Sequence, residues 1–270
     1  MQFKKASIVS HLADTVSVAT RARLLAVETS IQTQTPHISS CLSCIDIVTV
    51  LMHPSRAKHE NFFLSKGHAA LALYSVLCAY GIVSRKDLAS YCQDGSIFEG
   101  HVNSKVPQVA LSTGSLGHAL PFALGRAMSS GLLKKNEQFW VLLSDGELNE
   151  GSNWESLMIG SFRSIGNLNV IVDRNHLQSL ASTEETSGLE PLVDKFIAFG
   201  WKVIEVDGHD HDELVSATKS AESENCPTVI LAQTVKGFGV PEMEESPVLY
   251  HYKPANESHL IQLSDRNIGA

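Results

Sequence analysis

Short apolar segments alternate with helical segments through the second half of this chain, from Gln138 onward. Strands are predicted at 138–143, 168–173, 202–206 and 227–232, and helices near 152–164, 190–198 and 211–222. Strands that alternate with helices at this spacing are joined by crossover connections, which make the strands parallel. The run 227–232 (Pro-Thr-Val-Ile-Leu-Ala) is largely apolar, as is typical of a strand covered on both faces. The predicted fold class is therefore α/β, a doubly wound parallel sheet flanked by helices.

The first part of the chain is predicted to be helical. Apolar residues recur at helical spacing after Val16 and again over 41–52, so region 1–60 is interpreted as helical. Further helices are predicted at 69–80 and 116–130. The tail 240–270 is polar and is predicted to be irregular, wrapping the surface or a partner. Because no internal repeat or linker interrupts the chain, residues 1–270 are interpreted as a single domain.

Composition excludes several classes of function. The 270 residues, 43% of them hydrophobic, can bury the core of one large domain. The formal net charge is −8 and no long run of Lys or Arg occurs, which argues against a nucleic acid partner. No apolar segment is long enough to span a membrane or to serve as a signal core. The five cysteines are expected to be reduced thiols in a cytoplasmic protein.

Two predicted strands end in oxygen-bearing side chains. Asp145 follows the strand at 138–143, and Asn175 follows the strand at 168–173. In an open parallel sheet, ligands bind at the carboxyl ends of the strands. Asp145, Asn175 and the carbonyl of Leu177 would suit Mg²⁺ (or Ca²⁺ or Mn²⁺ in its place) and leave positions for phosphate oxygens and water. Gly146 would let a diphosphate approach the backbone. In the alternative interpretation, Asp-Gly is only a turn and Asn175 only caps a loop.

The same pair resembles the Gly-Asp-Gly…Asn signature of thiamine diphosphate enzymes. Other segments, in the same order along nearly the whole chain, resemble the N-terminal, diphosphate-binding half of transketolase, particularly the split form whose halves are separate polypeptides. Several independent motifs in order are more specific than any one glycine pattern. They lie at 62–68 (Phe-Phe-Leu-Ser-Lys-Gly-His), 100–101 (Gly-His), 112–117 (Ser-Thr-Gly-Ser-Leu-Gly), 145–151 (Asp-Gly-Glu-Leu-Asn-Glu-Gly) and 234–239 (Thr-Val-Lys-Gly-Phe-Gly).

The resemblance implies two groups of site residues. Imidazoles suit ketol transfer, because the reaction moves protons on and off sugar hydroxyls near neutral pH. The histidines that would line the channel over the thiazolium ring are His37, His101 and His251. The residues that would bind the cofactor are His68, Gly114, Leu116, Asp145, Gly146, Glu147 and Asn175.

The chain also departs from the family pattern. Thr35-Pro-His-Ile-Ser-Ser40 stands where the family usually has Ser-Gly-His-Pro-Gly-Gly, and His118-Ala119 replaces Gln-Gly. Ser144 replaces the first glycine of the diphosphate motif, and Tyr252 replaces a common glycine. These changes leave the predicted metal ligands in place but add side chains near the substrate. They predict preserved cofactor binding and a reshaped sugar pocket.

The resemblance further implies a partner. In transketolases, the glutamate that activates the cofactor's pyrimidine comes from a second α/β domain, and the chemistry is then the cofactor's own. We therefore expect a C-terminal subunit with that pyrimidine domain, an α2β2 assembly, and no activity from this chain alone. The favoured function is the transfer of a two-carbon ketol unit from a ketose to an aldehyde, with thiamine diphosphate and Mg²⁺.

Three alternatives stay open at this point. A specialised sugar or a carrier-bound acceptor would fit the altered loop at His37. The α subunit of a 2-oxo acid dehydrogenase shares the cofactor and the split architecture, although the segments at 65–68 and 112–117 argue against it. The third alternative is a non-catalytic subunit that binds thiamine diphosphate or a nucleotide. The presence of the predicted site residues argues against it: Asp145, Asn175, His68 and His101.

Overall fold

The computed structural model describes residues 2–56, 59–135 and 137–267. Its centre is a parallel sheet of five strands in the order β1-β2-β3-β5-β4. The doubly wound α/β fold predicted from the alternating pattern is confirmed. The strands are β1 (Phe62–Leu64), β2 (Phe139–Ser144), β3 (Leu168–Arg174), β4 (Lys202–Asp207) and β5 (Thr228–Gln233).

Helices surround this sheet. The longer ones are α1 (Gln2–Thr33), α2 (Ile38–Leu51), α3 (Ala70–Ala79), α5 (Ala119–Leu132), α6 (Gly151–Phe162), α9 (His211–Ser223) and α12 (Glu257–Asn267). The shorter ones are α4 (Arg85–Leu88), α7 (Thr183–Thr186), α8 (Leu192–Ala198), α10 (Pro241–Glu245) and α11 (Leu249–Tyr252). Within the described ranges, none of them has the length and apolar character that a membrane span requires.

Side chains along each strand alternate between two apolar layers. Trp140 and Leu142 of β2 pack on one face with α1, α2, α3 and α9. Val141 and Leu143 pack on the opposite face with α5, α6 and α8. Because successive strand residues point to opposite faces, a strand covered on both sides must be apolar at nearly every position. This explains the continuous apolar runs in the sequence.

Two parts of the structure differ from the sequence-based prediction. Strand β1 was not predicted, because three residues are too few to show a period; it forms where Phe62 pairs with Trp140 at the sheet edge. The prediction of an irregular tail at 240–270 is wrong for the described residues, which form α10, α11 and α12. Helix α12 packs on α1 and buries His259 and Leu263 completely. Because only one face of this helix is buried, the tail is polar on average and its helices depend on tertiary packing.

Candidate active site

The carboxyl ends of β1, β2, β3 and β5 surround an open cavity of about 250 Å³. Segments that are far apart in the sequence meet here, as the rule for open parallel sheets predicts. All but two of the predicted site residues line this cavity: His37, His68, His101, Gly114, Leu116, Gly146, Asn175, Leu177 and His251. The other two, Asp145 and Glu147, are buried directly behind its wall.

Asp145 joins the ends of β2 and β3. Its Oδ1 accepts a hydrogen bond from the Gly146 amide at 2.8 Å, and its Oδ2 accepts one from the His176 amide at 2.6 Å. Arg174 Nη1 also donates to Oδ2, at 3.2 Å. Burial and the nearby charge of Asp173 raise the pKa of the Asp145 carboxyl, whereas Arg174 and the two amides act in the opposite direction. These contacts fix the carboxylate beside the cavity and orient it.

Asn175 and Leu177 come directly after β3, and a sharp turn brings both to the cavity. The turn is made by His176, whose φ of 62° is left-handed. Asn175 Nδ2 donates to Ser43 Oγ at 3.1 Å, and its Oδ1 accepts from the Leu177 amide at 3.1 Å. A carboxylate, an amide oxygen and a carbonyl form a donor set that suits a hard divalent cation. In the described residues, no group of three or more His, Cys, Asp or Glu could hold a metal ion. One carboxylate, one amide and one carbonyl would leave positions for phosphate oxygens and water around such a cation.

Glu147 is buried and does not line the cavity. Its carboxylate accepts hydrogen bonds from Ser65 Oγ, from the Gly117 amide at 2.8 Å and from the Ser144 amide at 3.3 Å. Burial raises the pKa of this carboxyl, although the three hydrogen bonds act against the rise. Glu147 thus ties together the loops that form the cavity wall. The contact with the cofactor that the resemblance implied for Glu147 stays a prediction.

Three histidine rings pack edge to edge in the cavity. The ring centroids of His37 and His251 are 4.7 Å apart, and those of His37 and His68 are 5.6 Å apart. His37 precedes α2 with a left-handed φ of 68°, and its amide donates to the His251 carbonyl at 3.1 Å. Ser40 Oγ lies 3.2 Å from His251 Nδ1. The start of α2 and the short helix α11 thus hold His37 and His251 together.

Burial keeps these imidazoles neutral. It lowers the pKa of His251 to about 3, with the charge of Lys236 as the next cause. The pKa of His68 lies well below its ordinary value because of burial and the charge of Lys66. The pKa of His37 is also lowered, by burial and then by His101. Neutral imidazoles near pH 7 can accept a proton or a hydrogen bond from a substrate hydroxyl.

Two lysines in the cavity wall were missed by the sequence analysis. Lys66 and Lys236 line the cavity. Both lie inside segments that carried the family resemblance, and their place in those motifs could have marked them as site residues. Lys236 is 4% exposed, and its Nζ donates to the Gln178 carbonyl at 2.9 Å. Burial and the charge of Lys66 lower the pKa of Lys236 to about 8. Lys66 is paired with Asp173, whereas the hydrogen bond of Lys236 goes to a carbonyl rather than to a carboxylate. Lys236 therefore places an amine in the cavity wall that suits an anionic ligand.

Known proteins share the sequence features that build this site. The family described as "Transketolase, thiamine diphosphate binding domain" matches residues 14–260. The chain belongs to the transketolase family. The family predicted from the motifs is therefore confirmed, and thiamine diphosphate is the cofactor that the matched domain binds.

Relatives of similar length carry names of transketolase subunits. The chain is 36% identical over 243 residues to a subunit of the apulose-4-phosphate transketolase of Phocaeicola vulgatus, covering 86% of each sequence. It is 31% identical over 232 residues to "6-deoxy-6-sulfo-D-fructose transketolase subunit SqwG" of Clostridium sp., covering 82% of this chain and 84% of that one. These relatives do not favour the 2-oxo acid dehydrogenase alternative.

Solved transketolase structures share the fold. The transketolase of Campylobacter jejuni superposes with a TM-score of 0.83 at 25% sequence identity, covering 95% of this chain. The match covers 42% of the Campylobacter chain. This chain therefore spans less than half the length of that transketolase.

Proposed function

We propose that this chain is the N-terminal subunit of a split transketolase, which transfers a two-carbon ketol unit from a ketose to an aldehyde together with a C-terminal subunit. One observation carries the proposal. Oxygen donors at the ends of β2 and β3, two lysines and a group of neutral histidines meet at a single cavity. This combination can hold a metal-bound diphosphate and can move protons on a sugar.

The residues present fit thiamine diphosphate with Mg²⁺. Asp145, Asn175 and the Leu177 carbonyl would hold the metal ion, and His68 and Lys236 would contact phosphate oxygens. When bound, the cofactor supplies the group that stabilises a carbanion during carbon–carbon bond cleavage. Gly146 supports this arrangement, because a Cβ at this position would lie 2.9 Å from Gln178 Cγ in the cavity wall.

The histidines would act on the substrate. In the described part of the chain, His37 Nδ1 is buried without a hydrogen-bond partner. An unpaired ring nitrogen in a polar cavity is costly unless a ligand pairs with it. We assign His37 and His251, together with His101, to binding the sugar hydroxyls and to carrying protons at them.

The sugar is proposed to be a specialised one. Tyr252, which replaces a common glycine, is 53% exposed and packs edge-on to His251 with ring centroids 4.9 Å apart. His118 is also exposed, beside Leu116 in the cavity wall. Both side chains occupy space near the cavity, and the relatives named above carry the names of uncommon sugars. Turnover of xylulose 5-phosphate at ordinary rates would argue against specialisation.

A partner subunit is proposed to cover helix α6. This helix begins at Gly151, directly after the diphosphate motif, and exposes Met158, Ile159 and Phe162 by 54%, 45% and 82%. An exposed apolar surface of this kind suits a subunit interface. The partner that covers this surface is the C-terminal subunit of an α2β2 assembly. A cytoplasmic location stays a prediction, supported by five cysteines that are free of disulfides.

The proposal is tested by co-expressing the chain with its candidate C-terminal partner and recording native mass spectra with thiamine diphosphate and Mg²⁺. A heterotetramer with two cofactors that turns over a ketose would support it. Asp145→Ala should abolish turnover, whereas Asp212→Asn, on the exposed side of α9, is the matched control. Unchanged turnover in Asp145→Ala would instead favour the non-catalytic alternative.

A further inference from the structure

A buried group of charged side chains lies behind the loop that carries Lys236. Its centre is Asp46 of α2, which is 2% exposed. Asp46 Oδ2 accepts hydrogen bonds from Arg23 of α1 and from His209 Nδ1, the latter at 2.8 Å. Asp46 Oδ1 lies 2.8 Å from His211 Nε2. We call Asp46, Arg23, His209 and His211 the Asp46 cluster.

His209 connects the Asp46 cluster to the loop at 234–239. Its Nε2 accepts a hydrogen bond from the Val235 amide at 2.9 Å. Its ring stacks on Phe238, with centroids 3.6 Å apart and planes 9° apart. The Arg23 guanidinium lies 5.0 Å from the centre of the same Phe238 ring. Residues on both sides of Lys236 therefore contact His209 directly.

The hydrogen bonds define the tautomer of His209. A backbone amide can only donate, so the Nε2 that faces Val235 carries no hydrogen. The single ring proton then lies on Nδ1, where Asp46 accepts it. Only the neutral Nδ1–H form satisfies both partners at once. The carboxylate thus selects the tautomer that can hold the loop, as a carboxylate does for a histidine at a metal site.

Other contacts anchor the loop at Thr234 and at Gly237. Thr234 Oγ1 donates to Asp173, and the Gly237 amide donates to the Ser39 carbonyl at 2.9 Å. These contacts do not involve His209. Loss of the His209 contacts should therefore loosen the loop at Val235 and Phe238, on both sides of Lys236, while leaving the loop attached to the fold.

We propose that His209, oriented by Asp46, is a positioning residue that holds the 234–239 loop so that Lys236 lies in the cavity wall. The expected effect of His209 on cofactor affinity rests on the proposed function, since it assumes that Lys236 contacts an anionic diphosphate. The placement of Lys236 itself does not depend on that assumption. The two parts can therefore be tested separately.

Three variants separate the two hydrogen bonds of His209. In His209→Gln, the amide oxygen can reach the position of Nε2 and accept from Val235, but the contact with Asp46 is lost. In His209→Asn, the amide can donate to Asp46 from the position of Nδ1, but the contact with Val235 is lost. His209→Phe retains an aromatic ring for Phe238 and loses both hydrogen bonds.

The first measurement is the reactivity of Lys236 with an amine reagent as a function of pH, mapped by mass spectrometry in the subunit complex without cofactor. In the wild type, reactivity should reflect a buried amine with a pKa of about 8. In His209→Asn and His209→Phe, we expect a more accessible Lys236 whose pKa moves towards its ordinary value. His209→Gln keeps the Val235 contact but loses Asp46 and the ring on Phe238, so its Lys236 profile should lie between those variants and the wild type. Identical Lys236 profiles in all folded variants would overturn the placement.

The second measurement is the binding of thiamine diphosphate with Mg²⁺, and of inorganic diphosphate as a probe, to the same complexes. We expect His209→Asn and His209→Phe to bind both about tenfold more weakly, the loss of one charge-assisted contact. If Lys236 moves but both affinities stay unchanged, the placement stands and the assumed diphosphate contact fails. Nitrogen NMR of the wild type tests the tautomer without any variant: a protonated Nε2 on His209 would overturn the proposal.

Discussion

Lys66 and Asp173 form an ion pair that is buried almost completely behind the cavity. Their side chains are 1% and 0% exposed. Lys66 Nζ also donates to the Ser40 carbonyl at 3.1 Å, and Asp173 accepts from Ser43 Oγ at 2.6 Å. Burial opposes both charges, yet the pair holds the pKa of Lys66 above and that of Asp173 below its ordinary value. One buried contact thus links the end of β1 to the end of β3.

Removing one partner of this pair should destabilise the fold strongly. Lys66→Met leaves the Asp173 carboxylate buried without a cation, which costs about 3–5 kcal/mol in comparable cases. We expect that loss in the free energy of unfolding, measured by urea denaturation. The double variant Lys66→Met with Asp173→Asn should recover part of the loss. A double variant whose loss equals the sum of the two single losses would show that the pair is not coupled.

The affinity for cofactor should fall at alkaline pH because of Lys236. In the free protein its pKa is about 8, and a bound diphosphate would favour the charged form and raise that pKa. The contribution of Lys236 to affinity is then fully present below about pH 8 and is lost as the pH rises towards the pKa in the complex. Calorimetry between about pH 6.5 and 9.5 should show a fall of at most about tenfold per pH unit.

Two variants serve as controls for this pH effect. Lys236→Met should bind more weakly near pH 7 and lack the alkaline fall. Lys236→Arg should also lack it, since a guanidinium stays protonated through this range. Parallel pH curves for the wild type and Lys236→Met would assign the titration to another group.

Of the two glycines Gly117 and Gly125, only Gly117 lies at a position that requires glycine. Gly117 has a φ of +78°, and a Cβ there would lie 2.7 Å from Glu150 Cβ; Gly125 of α5 has open space around it. Gly117→Ala should lower the free energy of unfolding by about 1–2 kcal/mol, because alanine is strained at a positive φ. A clash of the new Cβ with Glu150 would add to this loss. Gly125→Ala should raise it by about 1 kcal/mol, because alanine favours the helix interior. Equal shifts in thermal unfolding would contradict the role assigned to the Gly117 turn.

Assembly should depend on the apolar face of α6. Phe162→Asp places a charge on a side chain that is 82% exposed, so the isolated chain should keep its thermal stability. We expect the heterotetramer to dissociate in native mass spectrometry, because an unpaired charge at the centre of an interface is costly. Ile261→Asp on α12, which is 61% exposed, is the control. A heterotetramer that survives Phe162→Asp would place the partner elsewhere.

The sequence alone determined four strands of the sheet and one edge of the site. Strand periodicity from Gln138 onward predicted parallel strands, and the positions of Asp145 and Asn175 after two of them predicted that both lie at one sheet edge. Such predictions succeed because backbone period and strand direction are local properties of the chain. The motifs likewise located His68 and His101, although spacing by itself does not say what surrounds either ring.

Tertiary structure alone decided the electrostatics of the site. The low pKa of His251 comes from burial and from Lys236, and the buried pair of Lys66 and Asp173 joins segments more than a hundred residues apart. The buried carboxylate of Glu147 is held by Ser65 and by the Gly117 amide, which come from other segments. Strand β1 and the C-terminal helices also form only against surfaces built by other segments. Burial and charge proximity are properties of the packed molecule, so no local pattern in the sequence contains them.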